Sequence, residues 1–247
     1  MKKLLYLTLF LLPLALLAQD TMRYKGTTSL GETRKGTITL EMPAGELTIK
    51  TGSTQLMDAE IKYDKPEWKP AINVKRDEDN TSLTLKQKDF KNKEGNVDNI
   101  WNISLNKSVP LHLHLTMGAG KSDIDLSNSR LEKLEIKAGA VSCDVNLRGS
   151  TVKEVDIAAG VGELNVDMTG NWNHNVNVEI AGGIGEVNLR LPKNTGVRLT
   201  SAGLGSRNLP GFVKNGNYYQ NAAYGKSKHT LTINVSGGMG SLNVVEG

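Results

Sequence analysis

A glycine-centred motif recurs through the second half of the sequence and leaves few architectures open. GAGKSDIDL begins at Gly118, GAVSCDVNL at Gly139, GVGELNVDM at Gly160 and GIGEVNLRL at Gly183. A shortened copy, GLGS, begins at Gly203, and GMGSLNV begins at Gly238 after an insertion. The first three starts are 21 residues apart, and the next gaps are 23 and 20. A period in the twenties marks stacked units, each burying its apolar side on its neighbours.

Apolar residues alternate within each unit. Ile124 and Leu126, Val145 and Leu147, Leu164 and Val166, and Val187 and Leu189 each flank one polar residue. A second alternating segment precedes each glycine turn: Leu134 and Ile136, Val155 and Ile157, Val176 and Val178, Leu231 and Ile233. Period two is the pattern of a strand with one buried face, and no segment of this half follows a helical period. The expectation is an all-β single domain of glycine-turn stacked strands, two short strands to each ~21-residue unit. It would be a β-solenoid or an elongated two-sheet sandwich; an unclosed antiparallel stack fits the same alternation. Ile124, Val145, Val166 and Leu189 should occupy equivalent core positions, and Cys143 should point inward with Ser122, Leu164 and Val187.

The first half is strand-like with a fainter repeat. GTITLEMPAGELTIKTG (36–52) carries an early glycine turn at Ala44-Gly45. Alternation continues at Leu56–Tyr63, Ala71–Val74, Leu83–Leu85, Ile100–Leu105 and Leu111–Leu115, and the charged stretch Lys86–Asp98 reads as a solvated loop. No Gly/Ser or Pro linker interrupts 19–247, so a clear repeat from about 117 and a vaguer one before it form one domain.

Residues 1–18 read as an address. Lys2 and Lys3 precede an apolar stretch, Leu4–Leu17, and Ala18 stands before polar residues. That is the layout of a signal peptide cleaved between Ala18 and Gln19, leaving a chain exported to the periplasm or the cell exterior. The apolar stretch is shorter than a bilayer span and contains Pro13, so stable membrane insertion is not expected after cleavage. Without those two lysines the 30 Lys+Arg become 28 against 26 Asp+Glu, a balance that gives no electrostatic case for nucleic acid. One cysteine, Cys143, allows neither an intramolecular disulfide nor a cysteine-built metal cage.

Candidate sites are few. Asp123, Asp144, Asn165, Asn188 and Asn243 should form one outward column, and Asp125, Asn146, Asp167 and Arg190 a second, with rungs about 4.8 Å apart. Calcium needs six or more convergent oxygens, so a solvated face accounts for these columns better. His112 and His114 alternate with leucines and should face outward, with no third metal ligand evident. Asp123 and Asp125 are two apart on one strand, but nothing raises the pKa of one above the other as general acid chemistry requires. The glycine turns follow strands without opening helices, which fails the test for a dinucleotide site. No cofactor, metal or catalytic set is expected. The insertion 215–229 holds Tyr218, Tyr219 and Tyr224, and with Trp172 it concentrates the aromatic residues of the carboxy half. These four are the candidate partner-binding residues, unless the insertion serves only to cap the stack.

Three stretches resemble the bacterial toast-rack domain, which is related to the carboxy-terminal part of LiaF-type cell-wall-antibiotic response proteins. They are YDKPEWKPAINV (63–74), NIWNISLNKSVPLHLHLTMGAG (99–120) and GGIGEVNLRLPKNTGVRLTSAGLGSRNLPGF (182–212). The resemblance covers roughly residues 28 to 245. It implies an all-β stacked fold and an association with envelope-stress signalling, and it brings no catalytic residues. In many relatives the domain is joined to transmembrane helices; here it follows a cleavable signal alone. The expected function is a non-enzymatic extracytoplasmic binding or scaffold module that takes an envelope protein as partner. The alternative is a secreted adhesin-like or glycan-binding β-solenoid that takes cell-wall glycan.

Overall fold

Each glycine-centred unit folds as one long strand bent in the middle, where two short strands were expected. The computed structural model describes residues 21–88 and 98–247, so the expected signal peptide and most of the charged loop lie outside the described residues. Its strands are β1 (Met22–Thr28), β2 (Lys35–Ser53), β3 (Met57–Tyr63), β4 (Ala71–Asp77), β5 (Asn80–Lys86), β6 (Asn99–Asn106) and β7 (Leu111–Asp125). They continue with β8 (Leu131–Asn146), β9 (Glu154–Asp167), β10 (Val176–Leu191), β11 (Gly196–Asn208), β12 (Val213–Asn215), β13 (Tyr218–Gln220) and β14 (Thr230–Glu246). A 3-10 turn at Pro66–Trp68 is the one helical element among the described residues.

Glycine ordinarily punctuates a strand. Here the ladder runs through it, because every layer bends at the same place. Between β7 and β8, Met117 pairs with Ala138 and Ala119 with Ala140, so the register holds across the corner. Both arms turn an apolar face inward. In β8, Leu134 and Ile136 before the corner and Cys143 and Val145 after it are all buried. Short return turns close each coil and stack in their own right: Leu126 N–H donates to Asn146 O at 2.9 Å, and Leu147 N–H to Asp167 O at 2.8 Å. The result is a parallel β-solenoid whose coil is a pair of facing sheets, which excludes the antiparallel stack for the repeats. Ile124, Val145, Val166 and Leu189 are mutual register partners and all are buried.

Corner glycines are demanded by layer spacing. Gly162 and Gly185 have φ of 138° and 150°, and a Cβ on either would run into a backbone oxygen of the preceding layer, that of Val141 or of Gly162. Such φ values strain any residue with a side chain.

The strand order is β1-β3-β6-β2-β7-β8-β9-β10-β14-β11-β13-β12. Two features depart from simple stacking. At the amino-terminal end the first coil splits: the first arm of β2 pairs with β5 and the second with β6, continuing into antiparallel β5–β4 and β6–β3–β1. The gap between these flanks, beneath the corner of β2, holds a buried polar pair. Gln87 Nε2 donates to Asn99 Oδ1 at 3.0 Å, and Asn99 Nδ2 donates to Gln87 Oε1 at 2.8 Å. Trp101 Nε1 donates to Asn99 Oδ1 at 3.1 Å, and Gln87 Nε2 also donates to Trp68 O. At the other end the chain passes over one position from β10 to β11, and β14 returns to fill the space between them, parallel to both.

Two substitutions check this account. Leu189→Ala, at a site 2% exposed, should cost about 2–5 kcal/mol in chemical denaturation. Gly162→Ala should destabilise by more than about 1 kcal/mol despite adding only a methyl group, since its backbone is incompatible with a side chain. A Gly162→Ala protein as stable as the parent would show that the corner does not require glycine.

Candidate functional site

The outward faces carry the polar columns that the register of the repeats requires. Asp144, Asn165, Asn188 and Asn243 stand on successive strands β8, β9, β10 and β14. They are joined by hydrogen bonds. Asn165 Nδ2 donates to Asp144 Oδ1 at 2.7 Å, Asn188 Nδ2 to Asn165 Oδ1 at 2.8 Å and Asn243 Nδ2 to Asn188 Oδ1 at 2.9 Å. All three amides point their donors the same way, ending on a carboxylate, an alignment in which each bond polarises the next. Oxygens committed to a ladder do not converge on a point. Among the described residues no group of three or more His, Cys, Asp or Glu is placed to hold a metal ion.

His112 and His114 face outward as expected and each meets a carboxylate of the neighbouring layer. His112 Nε2 lies 3.3 Å from Glu132 Oε2, and His114 Nδ1 lies 3.2 Å from Glu135 Oε2. Glu132 also receives Lys35 Nζ at 3.1 Å, and that hydrogen bond holds its carboxyl below the usual range. Lys137 does the same for Glu135 from 2.7 Å. The two histidine contacts and the Lys35–Glu132 pair are structural cross-links between layers, while Lys137 supports Glu135 from the same strand. Cys143 is buried between Ser122 and Leu164, and burial pushes its thiol up to about 11.

The four candidate partner-binding aromatics do not form one patch. Trp172 sits in the connection between β9 and β10, buried, with its Nε1 donating to Met168 O at 2.8 Å and its ring edge-on to His174. The tyrosines lie beyond β11, which β14 separates from β10. Tyr218 and Tyr224 have ring centroids 6.0 Å apart, and the Arg198 guanidinium lies 4.6 Å from the Tyr218 centroid. Tyr219 is half-buried against the core. The segment is tied down by Asn221, whose side chain accepts from Val197 N–H at 2.9 Å and donates to Thr195 O at 3.0 Å. The β12–β13 hairpin thereby covers the edge of β11 at Arg198 and Leu199.

A different surface stands out, and the sequence reading passed over it. The middle residue of the corner triplet in β7, β8, β9, β10 and β14, Gly-X-Gly except in β8 where Val141 takes the second glycine's place, projects from the bend. Ala119, Ala140, Val161, Ile184 and Met239 form this column, and their bulk grows along the stack. Val161 and Ile184 are each 52% exposed and Met239 62%, on adjacent strands. They make a continuous apolar ridge flanked by bare backbone. The signal lay in the triplets GVG, GIG and GMG, where attention to glycine as a turn former hid the residue between.

Two predictions follow from these side chains. Cys143 should resist thiol reagents in the native protein and react at once on unfolding; rapid native labelling would mean the strand is shifted by one residue, with that side chain outward. Glu132 has a lowered folded pKa, so its contribution is full above its ordinary value of 4.5 and is lost as pH falls through the folded value. The stability gap between wild type and Glu132→Gln should therefore narrow as pH drops from about 6 to about 3 in urea titrations. A gap independent of pH would remove the Lys35–Glu132 pair as its source.

A family profile described as the N-terminal domain of toast_rack matches residues 17–156 and 134–190. No curated protein matches the chain. Among solved structures, a proposed cell adhesion protein from Clostridium sporogenes ATCC 15579 is 29% identical, with a TM-score of 0.72, over 92% of this chain and 100% of that one. Proposed adhesins from Bacteroides fragilis NCTC 9343 and Parabacteroides merdae ATCC 43184 are 13% and 15% identical, covering 92% of this chain and 98% and 97% of theirs. Both have TM-scores of 0.32, and a likeness that loose carries no argument. With the profile matching within residues 17–190, well over half of the sequence, the chain belongs to the toast-rack family.

Proposed function

We propose that the chain is an exported, non-enzymatic interaction module that holds a protein partner at the cell surface or in the envelope. The observation that carries this is the ridge of Val161, Ile184 and Met239. Three large apolar side chains more than half exposed on neighbouring strands are costly to leave in water, and contiguous exposed apolar surface marks contact with another molecule. A solenoid suits the task, because its layers hold such a ridge rigid at little entropic cost on binding. The printed description of the Clostridium relative, a proposed cell adhesion protein, supports an adhesin-like role. The family resemblance extends the reading to a partner in envelope-stress signalling. Export would remove residues 1–18 and leave Gln19 first.

Glycan binding is the second reading, favoured by the amide ladder from Asp144 to Asn243 on the outer face. Much of that hydrogen-bonding capacity is spent within the ladder, which is why the apolar ridge takes precedence.

Crosslinking in intact cells tests both readings, with a photoreactive residue replacing Ile184. The expected outcome is capture of a discrete envelope or surface protein by the parent, reduced at least about tenfold by Val161→Ser with Met239→Ser, as befits loss of buried apolar anchors. Equal capture by the folded double variant would remove the ridge as the contact. Capture of no protein, with retention on purified wall glycan, would replace this reading by the second.

A further inference from the structure

The inside of the glycine corner changes along the stack. The inward position just before the corner is Met42 in β2, Met117 in β7, Ala138 in β8, Ala159 in β9, Gly182 in β10 and Gly237 in β14, all register partners. Two methionines give way to two alanines and then to two glycines. The wall across the corner keeps its bulk, with Leu164, Val187 and Leu242 on β9, β10 and β14. Ile180 and Val235 close a third side. The space left behind is a cleft, open to solvent on one side, beneath the corners of the last layers.

The backbone does not require glycine at positions 182 and 237. Neither residue has a left-handed φ, and a Cβ would meet only Ser236 O at 3.9 Å from Gly182 and only Gly182 O at 3.6 Å from Gly237, both ordinary contacts. That separates them from Gly162 and Gly185, whose Cβ atoms the neighbouring layer forbids. Gly182 and Gly237 keep a volume empty that alanine fills in β8 and β9. A well-packed interior has no such taper unless something else fills it.

One end of the cleft is blind and the other polar. In β8 the corner position held by Gly120 and Gly162 in the adjoining strands is Val141, which is 5% exposed and fills the bend. In β11, the last coil, the inward positions opposite Val235 and Leu242 are Ser201 and Arg207. Arg207 Nε donates to Ser201 Oγ at 3.0 Å and Nη2 donates to Gly203 O at 3.0 Å, and Arg207 is among the residues that line the cleft. Among the described residues no carboxylate forms an ion pair with it, and the residue is exposed.

We propose that this cleft binds a single unbranched aliphatic chain with an anionic head group, the tail under the glycine corners and the head on Arg207. Leu164, Ile180, Val187, Val235 and Leu242 line the cleft with aliphatic carbon that suits an unbranched tail, and three layers at about 4.8 Å provide about 14 Å of length. The guanidinium supplies a forked, charged donor for a carboxylate or phosphate. A free fatty acid and the acyl chain of an anionic lipid share this chemistry.

The test titrates the purified exported chain with octanoate, decanoate and dodecanoate, followed by the shift of a carbon-13 label in the carboxylate. Saturable one-to-one binding is expected, tightening by about fourfold for each methylene added. Gly237→Val should weaken dodecanoate binding at least tenfold while its melting temperature stays equal to or above that of the parent, because the substitution fills space without straining the backbone. Gly182→Val is the second filling variant should the first prove unstable. Arg207→Gln should weaken dodecanoate without weakening dodecanol. Vesicles of phosphatidylglycerol separate the two sources: retention of the parent but not of Gly237→Val on vesicles, with weak binding of free dodecanoate, assigns the tail to a membrane lipid. The proposal is overturned if neither dodecanoate nor vesicles bind saturably, or if a folded filling variant binds them as the parent does. Ile184 and Met239 of the ridge also border this cleft, but Gly182, Gly237 and Arg207 are not part of the ridge, so their variants separate loss of the ligand from loss of a protein partner.

Discussion

Everything in this fold depends on how closely backbone can approach backbone at the bend. Parallel strands stack at about 4.8 Å whatever their side chains, so a bend repeated in every layer brings the carbonyl of one corner to the place where a Cβ of the next would sit. Glycine removes that conflict, and the bend can then be inherited from layer to layer without losing register. The two arms are held face to face, and the alternating apolar residues of each arm acquire a partner surface. A core forms from strands that individually bury only one side. The same condition explains why one long strand per unit is stable where a chain of separate short strands would need a connection at every glycine.

With the corner fixed, charge and polarity serve alignment. Amide groups on the outer face bond along the stack, and Glu132 reaches Lys35 and His112 while Glu135 reaches His114, all on other strands, so the layers are cross-linked outside as well as packed inside. Each such exposed contact contributes little alone. Together they favour one register, because a slip would part these donors from their acceptors and turn buried side chains outward. The apex, by contrast, is exposed, and its side chains take no part in these polar cross-links. Bulk has accumulated there in Val161, Ile184 and Met239.

Much of this was legible in the sequence for physical reasons. A period of two within a period of 21 fixes both the inward face and the equivalent positions, and so Ile124, Val145, Val166, Leu189 and Cys143 fall where alternation puts them. Glycine was misleading because its usual effect on an isolated strand is to end it, an expectation that ignores the same glycine in the layers above and below. The place of β14 was illegible, since its GMGSLNV fits against any neighbour of the same pattern; only the three-dimensional course of 209–229 sends it back between β10 and β11. Trp172 and the tyrosines were grouped as the aromatic residues of the carboxy half, and a solenoid separates residues by layer whatever their type. Gly182 and Gly237 looked like the other glycines, and their difference lies in a φ angle and an empty neighbourhood that no one-dimensional pattern carries.

The insertion of β14 between two strands that precede it in the chain has a consequence for how the molecule comes into being. A solenoid whose layers follow chain order can be wound progressively, each new coil settling on the last as it emerges. Here that winding must halt at β10, because the surface on which β11 comes to rest belongs to a strand synthesised later. Until then β10 has a bare flank and β11 lacks its main neighbour. Completion is a long-range closure, slower than the local steps before it. A chain threaded outward through a membrane would thus reach the far side with its last third still unlocked, and would become a sealed rod only after β14 had arrived.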